Sequence, residues 1–203
     1  MREIRNILAS RGYFCYNPVN MPQIPLLERM AIMTGRGAKE VLGSYIFLEP
    51  KYLENKRVLN VGAGRTNLEK DLLEKYGVRT NVTNIDLAYD PRRKSWYWYL
   101  IWKAPVSSFP KNAIQADMCS LPFSDDYFDI SISTASLSSW TSKDRSSLAL
   151  LELCRVTKNE IYISPVLERD HHLIQAQNKL PGSHPKFLVE ISNDSELLKL
   201  RRK

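Results

Sequence analysis

The sequence contains little cysteine and no long apolar run. Its three cysteines stand far apart at positions 15, 119 and 154, and none belongs to a CxxC or Cys/His spacing typical of a zinc site. We therefore expect reduced thiols and a cytoplasmic protein. Because no stretch of about 18 apolar residues occurs, we expect no membrane span. Residues 1–10 also lack the apolar segment of a secretory signal.

The composition has no strong bias towards disorder or cross-linking. Of the 203 residues, 43% are apolar and 25% are charged, which is typical of one globular domain whose core needs no disulfide or metal. The net charge is +7, and the last five residues, Lys199–Lys203, carry four positive charges. We expect this end to be a solvated basic tail, since the rest of the chain is only mildly basic and indicates an anionic partner weakly.

The pattern of apolar residues changes near position 57. Residues 1–56 are predicted to form a helical lead-in, with apolar residues at helical spacing from Leu26 to Met33 and again from Ala38 to Ile46. Residues 57–203 are predicted to form the core, in which short apolar strands alternate with helices. That alternation predicts βαβ units around a mostly parallel sheet.

The individual elements follow from the same pattern. The predicted strands are Val58–Val61, Val82–Ile85, Ala113–Ala116, Phe128–Ser133 and Ile161–Ser164. One predicted helix runs from Leu68 to Tyr76, with Leu73 and Tyr76 in its apolar stripe, and is closed by Gly77; another runs from Thr141 to Val156. Near the end, a sixth strand over Phe187–Ile191 and a helix over Ser195–Arg201 are expected.

The turn after the first strand is the most informative feature. Gly62 permits a tight turn off the strand, and Gly64 lets a ligand approach the backbone without meeting a Cβ. Asp86 ends the second strand, 22 residues past Gly64, where a carboxylate can accept both ribose hydroxyls of a nucleoside. A dinucleotide fingerprint would have a third glycine where this chain has Asn67, so the loop favours a nucleoside without pyrophosphate. The alternative is a glycine turn that binds nothing.

Four segments in order resemble the motifs of the class I S-adenosylmethionine (SAM)-dependent methyltransferases, in particular the small-molecule and quinone methyltransferase subgroup. They are VLNVGAGRTNL from Val58, VTNIDLAYD from Val82, AIQADMCSLPFSDDYFDISIS from Ala113 and LELCRVTKNEIYIS from Leu151. The resemblance covers about half of the chain, from Arg57 to Ser164. It implies a Rossmann-like sheet of order 3-2-1-4-5 with helices on both faces, and a C-terminal hairpin that the sequence leaves unreadable and that could be incomplete.

The resemblance also implies a set of SAM-binding residues. These are Asn60, Gly62, Ala63, Gly64, Asp86, Leu87, Asp117, Met118, Ser133 and Thr134. In the family's pattern the glycines line the methionine portion, Asp86 binds the ribose, and Leu87 lies against adenine. Asp117 accepts from the adenine amino group and Met118 offers a backbone contact. Ser133 and Thr134 end the fourth strand beside the sulfonium.

The chain departs from the family's pattern at three places. Asn60 stands where an acid often helps to hold the cofactor's ammonium group, so we expect weaker binding. Thr66 replaces a usual glycine. Lys158-Asn159-Glu160 replaces a lysine-proline-glycine turn before the fifth strand.

Catalytic residues cannot be assigned from the sequence. Methyl transfer from a sulfonium is a direct displacement, so alignment matters more than a catalytic dyad. Asp125 and Asp126 are expected in a solvated turn, and Asp129 is expected to be structural. His171, His172 and His184 fit no standard metal site, and no metal is predicted.

The acceptor is expected to be a small molecule. A nucleic acid is the main alternative, but no Asn/Asp-Pro-Pro-aromatic motif follows the fourth strand, which continues as Ser133–Ser136. The basic-aromatic segment from Arg92 to Lys103 is expected to be buried core. The alternatives are a lid over an aromatic acceptor, or a surface that binds nucleic acid or a membrane interface. A third possibility is a non-catalytic module of the same fold, and the oligomeric state stays open.

Overall fold

The computed structural model describes residues 37–64, 66–86, 89, 112–134, 136–137, 143–164, 187–192 and 197–203. Several sequence predictions fall outside these residues. They concern the helix over 26–33, the segment 92–103, Leu87 and the three histidines.

A mixed β-sheet forms the centre of the described chain. Its strands are β1 (Arg57–Val61), β2 (Asn81–Ile85), β3 (Ala113–Ile114), β4 (Phe128–Thr134), β5 (Thr157–Ser164), β6 (Phe187–Ser192) and β7 (Leu197–Arg202). They lie in the order β3-β2-β1-β4-β5-β7-β6. The first five are parallel, whereas β7 runs antiparallel between β5 and β6. The predicted 3-2-1-4-5 order is confirmed, and the C-terminal hairpin is complete.

Helix α1 (Leu68–Tyr76) connects β1 to β2. The side chain of Asn67 caps its first turn by accepting from the Lys70 N–H, and Gly77 ends it with φ of 66°. Leu68 and Leu72 are buried, but Leu73 and Tyr76 are 51% and 39% exposed. The predicted four-residue stripe is therefore half wrong, because the helix buries a narrower face than its apolar residues suggest.

Apolar side chains cover both faces of the sheet. Helix α2 (Lys143–Val156) packs Leu150 and Leu153 on the face that carries Leu59 and Val61 of β1. The opposite face carries Val58 and is covered by α1 and by residues 38–46. Alternate residues of one strand thus enter two separate cores, as the period of a strand requires.

The helix predicted over residues 38–46 is present in the described part of the chain before β1. It contains a π-helix (Glu40–Tyr45) that buries Val41 and Leu42, followed by a 3-10 turn (Pro50–Leu53). The Ala38 N–H donates to Asp71 Oδ2 at 2.8 Å, which fixes the segment to α1. No helix among the described residues is long and apolar enough to span a membrane.

The end of the chain differs from expectation. Residues 197–202 form β7 rather than a helix or a solvated tail. Leu198 and Leu200 are fully buried, while Arg201 and Arg202 form ion pairs with Glu160 and Asp126. Leu198 and Leu200 enter the same core, as the period of a strand requires, and the acids that neutralise the arginines come from distant parts of the sequence.

Two strand boundaries also need correction. The third strand covers only Ala113–Ile114, not four residues. The fifth begins at Thr157, directly after α2, so Lys158–Glu160 belong to the strand and form no turn. The pairing of the fifth strand with β4 shifts register between Phe128 and Ile130, and this irregularity accommodates the added residues at the start of the fifth strand. No residue of this stretch has positive φ, which explains why it needs no glycine.

Candidate active site at the carboxyl edge of the sheet

A glycine loop joins the carboxyl end of β1 to α1. Gly62 and Gly64 have φ of 64° and 55°, a left-handed conformation that favours glycine. The Ala63 N–H donates to the Ile85 carbonyl at 3.1 Å, and the Thr66 N–H donates to the Ala63 carbonyl at 2.9 Å. These bonds hold a tight turn against the end of β2.

Ser136 packs directly on Gly62. A Cβ added to Gly62 would lie 2.2 Å from the Ser136 Cβ. The Ser136 hydroxyl donates to the Val61 carbonyl at 3.0 Å and lies 2.7 Å from the Ser133 hydroxyl. Gly62 is therefore required by contact between the ends of β1 and β4, independently of any ligand.

Asp86 is bonded to the same loop. Its Oδ2 accepts from the Gly64 N–H at 3.0 Å, and its own N–H donates to the Ile114 carbonyl at 3.2 Å. The side chain is only partly buried. A carboxylate has about four acceptor positions, and the Gly64 N–H uses one of those of Asp86.

Tyr89 contacts the glycine loop through its hydroxyl, and no sequence pattern predicts this contact. Its side chain is buried, and its hydroxyl donates to the Gly64 carbonyl. Burial and the nearby Asp86 carboxylate raise the pKa of Tyr89 well above its ordinary value, so the phenol stays protonated and remains a donor. Gly64 is thus held at its N–H by Asp86 and at its carbonyl by Tyr89.

Asp117 lies three residues after β3 and is 2% exposed. The Arg145 Nη2 bridges its two carboxylate oxygens at 2.9 and 3.0 Å. The Cys119 N–H donates to Oδ1 at 2.9 Å. Arg145 belongs to the first turn of α2, 28 residues away in sequence, so no local pattern indicates this pair.

Asn60 takes part in a different interaction. Its amide donates to the Asn84 Oδ1 at 3.0 Å, and both side chains are buried between β1 and β2. The two residues are register partners, so the bond spans neighbouring strands. At the end of β4, Ser133 and Thr134 are buried. Met118 is partly buried and packs against the core that contains Leu59 and Val61.

A family model described as "Methyltransferase domain" matches residues 59–163, more than half of the chain. The matched range begins in β1, contains the glycine loop, Asp86 and Asp117, and ends in β5. The chain belongs to this methyltransferase family. No curated protein sequence matches it.

Several solved structures are similar to this chain. A TehB-like SAM-dependent methyltransferase from Corynebacterium glutamicum matches with a TM-score of 0.52 at 14% identity, covering 100% of this chain and 96% of its own. Magnesium protoporphyrin IX methyltransferase from Synechocystis, solved with bound SAM, matches with a TM-score of 0.49 at 14% identity and coverages of 74% and 72%. A protein from Pyrococcus horikoshii matches with a TM-score of 0.48 at 17% identity, covering 100% of both chains.

The three other aspartates considered in the sequence analysis have structural partners. Asp125 pairs with Arg155 at 2.9 Å, and Asp126 pairs with Arg202 at 2.5 Å. Asp129 accepts from the Arg57 N–H at 2.8 Å and so joins the starts of β4 and β1. Among the described residues, no group of three or more His, Cys, Asp or Glu could hold a metal ion.

Proposed function

We propose that the protein is a SAM-dependent methyltransferase that acts on a small molecule, within the quinone-methyltransferase-like subgroup of the family, and that it works in the cytoplasm. The observation that carries the proposal is the bond between the Gly64 N–H and Asp86 Oδ2, 3.0 Å long. This bond supports the proposal, because the Asp86 carboxylate lies directly beside a left-handed glycine turn at the carboxyl edge of the sheet, where open α/β folds bind nucleosides.

The residues present fit the cofactor. Asp86 would accept the ribose hydroxyls, and Asp117 would accept from the adenine amino group. Gly62, Ala63 and Gly64 would line the methionine portion, and Ser133 would lie beside the sulfonium. The remaining proposed contacts are Asn60, Leu87, Met118 and Thr134, of which Asn60 brings no charge to the ammonium group.

Bound SAM supplies a methyl group activated by a positively charged sulfur. The protein has to align the acceptor in line with that group and exclude water. The hydroxyls of Ser133 and Ser136, linked at 2.7 Å, lie at the end of β4 next to the glycine loop. A base is needed only where the acceptor carries a proton at neutral pH, and the catalytic group stays unassigned.

The test is calorimetry with SAM and with NAD as competitor. Asp86→Ala removes the ribose acceptor, so SAM binding should weaken by about 1–3 kcal/mol. Asp86→Asn should also weaken it while leaving an acceptor for the Gly64 N–H. Asp125→Ala is the control, because Asp125 is 76% exposed and pairs with Arg155, away from the glycine loop. Unchanged affinity in both Asp86 variants, or displacement of SAM by NAD, contradicts the proposal.

A non-catalytic module of the same fold is the second candidate. The observation that favours it is the Asn60–Asn84 bond, which uses the amide of Asn60 within the sheet. Methyl transfer from labelled SAM into small-molecule extracts, and separately into RNA, distinguishes the candidates. Label in the first supports the proposal, and label in RNA shows a nucleic-acid acceptor. Tight SAM binding without transfer to either supports the non-catalytic module.

A further inference from the structure

The ion pair between Asp117 and Arg145 has a consequence for recognition of the nucleobase. Both partners are largely buried, with side chains 2% and 18% exposed. Arg145 Nη2 contacts both oxygens, whereas the Cys119 N–H contacts only Oδ1. Three donor contacts therefore occupy a group with about four acceptor positions, and the remaining position is on Oδ2.

A buried carboxylate without a partner would turn towards water. Arg145 opposes this change, because its contact with both oxygens fixes the plane of the carboxylate. A carboxylate of fixed orientation accepts a hydrogen bond from a 6-amino purine. It repels a 6-oxo purine, which presents an acceptor at the same place.

We propose that Arg145 is a positioning residue that sets selection for adenine by fixing the orientation of the Asp117 carboxylate, with Oδ2 available to the amino group. This inference rests on the proposed function, since it assigns a role within the same cofactor site. In this role Arg145 acts through Asp117 and not through a contact of its own with the nucleobase. The pair links the first turn of α2 to the residues that follow β3. Nucleobase selection should therefore depend on the position of α2 relative to β3.

The experiment compares two probes, S-adenosylhomocysteine and its hypoxanthine counterpart, by calorimetry. They differ only in the 6-amino or 6-oxo group. The wild-type protein should prefer the adenine probe by roughly 10- to 100-fold, the range expected for one hydrogen bond to a charged group. Arg145→Gln should reduce this preference to about threefold or less, and Arg145→Lys, which keeps the charge but not the planar geometry, should give an intermediate value.

Arg57→Gln is the matched control. It removes the same charge at the opposite edge of the sheet, where Arg57 is 44% exposed, and should leave the preference unchanged. A purely structural role for Arg145 predicts lower stability with the preference retained, so a ratio of affinities separates the two roles. If Arg145→Gln does not fold, Arg145→Lys provides the comparison.

Each remaining outcome has one meaning. The inference is overturned if the folded Arg145 variants keep the wild-type preference. It is also overturned if Arg145→Gln binds the adenine probe more tightly than the wild type does, because the ion pair would then compete with adenine for Asp117. A wild-type protein that binds both probes equally overturns the inference and leaves the proposed function standing. A wild-type protein that binds neither probe overturns both.

Discussion

At the scale of single residues, Gly62 is fixed by its backbone and by its neighbour. Its φ of 64° strains any residue with a Cβ, and that Cβ would lie 2.2 Å from Ser136. Gly62→Ala should therefore lower the free energy of unfolding by about 3 kcal/mol or more, combining about 1–2 kcal/mol of backbone strain with overpacking. Urea denaturation measures the change.

Ser136→Gly separates the two causes. Alone it removes the hydroxyl that donates to the Val61 carbonyl and should cost about 1 kcal/mol. Combined with Gly62→Ala it removes the clash, so the double variant should be more stable than Gly62→Ala alone. If the two losses simply add, the contact with Ser136 is not what excludes a side chain at Gly62.

Only some residues of the candidate site could be predicted from the sequence. Gly64 and Asp86 could be placed together because each follows a predicted strand, and neighbouring parallel strands end at the same edge. Tyr89, Ser136 and Arg145 could not, because their roles depend on pairings with residues 25 to 75 positions away. Such pairings leave no periodic pattern in the sequence.

At the scale of elements, local signals decided which predictions succeeded. Strands β1 and β4 carry buried apolar runs, and α1 has a cap at each end, so their bounds were close to correct. Strand β3 is short, and β7 carries charged residues that suggested a solvated segment. The partner of Arg201 is Glu160, 41 residues earlier, and only the folded sheet brings them together.

Two leucines of the C-terminal hairpin give a direct test of β7. Leu200 is fully buried on β7, whereas Leu188 on β6 is 46% exposed. Leu200→Ala should lower the free energy of unfolding by about 2–5 kcal/mol, because it leaves a cavity in the core. Leu188→Ala should cost well under about 1 kcal/mol. Equal, small losses in chemical denaturation would contradict a strand at this position.

At the scale of the whole molecule, a cluster around Glu160 joins three separate parts of the chain. Glu160 Oε2 accepts from the Tyr52 and Tyr162 hydroxyls at 2.7 and 2.8 Å. Glu160 Oε1 accepts from Arg201 Nε at 2.8 Å and lies 3.4 Å from Lys199 Nζ. This Glu160 cluster lies near the start of β5, at the sheet edge opposite the candidate site. It ties the segment before β1 to the C-terminal hairpin, so its contribution should affect stability and leave cofactor binding unchanged.

The Glu160 cluster makes stability sensitive to acid. Burial raises the pKa of Glu160, but hydrogen bonds from Tyr52, Arg201 and Tyr162 and the charge of Lys199 outweigh it and lower the pKa from 4.5 to about 2. Because this pKa is lower in the folded state than in the unfolded state, the ionised Glu160 stabilises the fold at pH values above the unfolded-state pKa of 4.5. That contribution, about 3 kcal/mol, is lost as the pH falls from 4.5 towards about 2.

Glu160→Gln tests this contribution by urea unfolding between pH 7 and pH 2. The amide can still accept from the phenols but cannot pair with Arg201 or Lys199, so the variant should be less stable than the wild type at neutral pH. Because the wild type loses the same contribution on protonation, the difference should shrink below pH 4.5 and largely close near pH 2. Glu190→Gln is the control, since Glu190 is 52% exposed and lies 3.9 Å from Arg201. A difference for Glu160→Gln that stays constant with pH would show that packing, and not charge, accounts for its role.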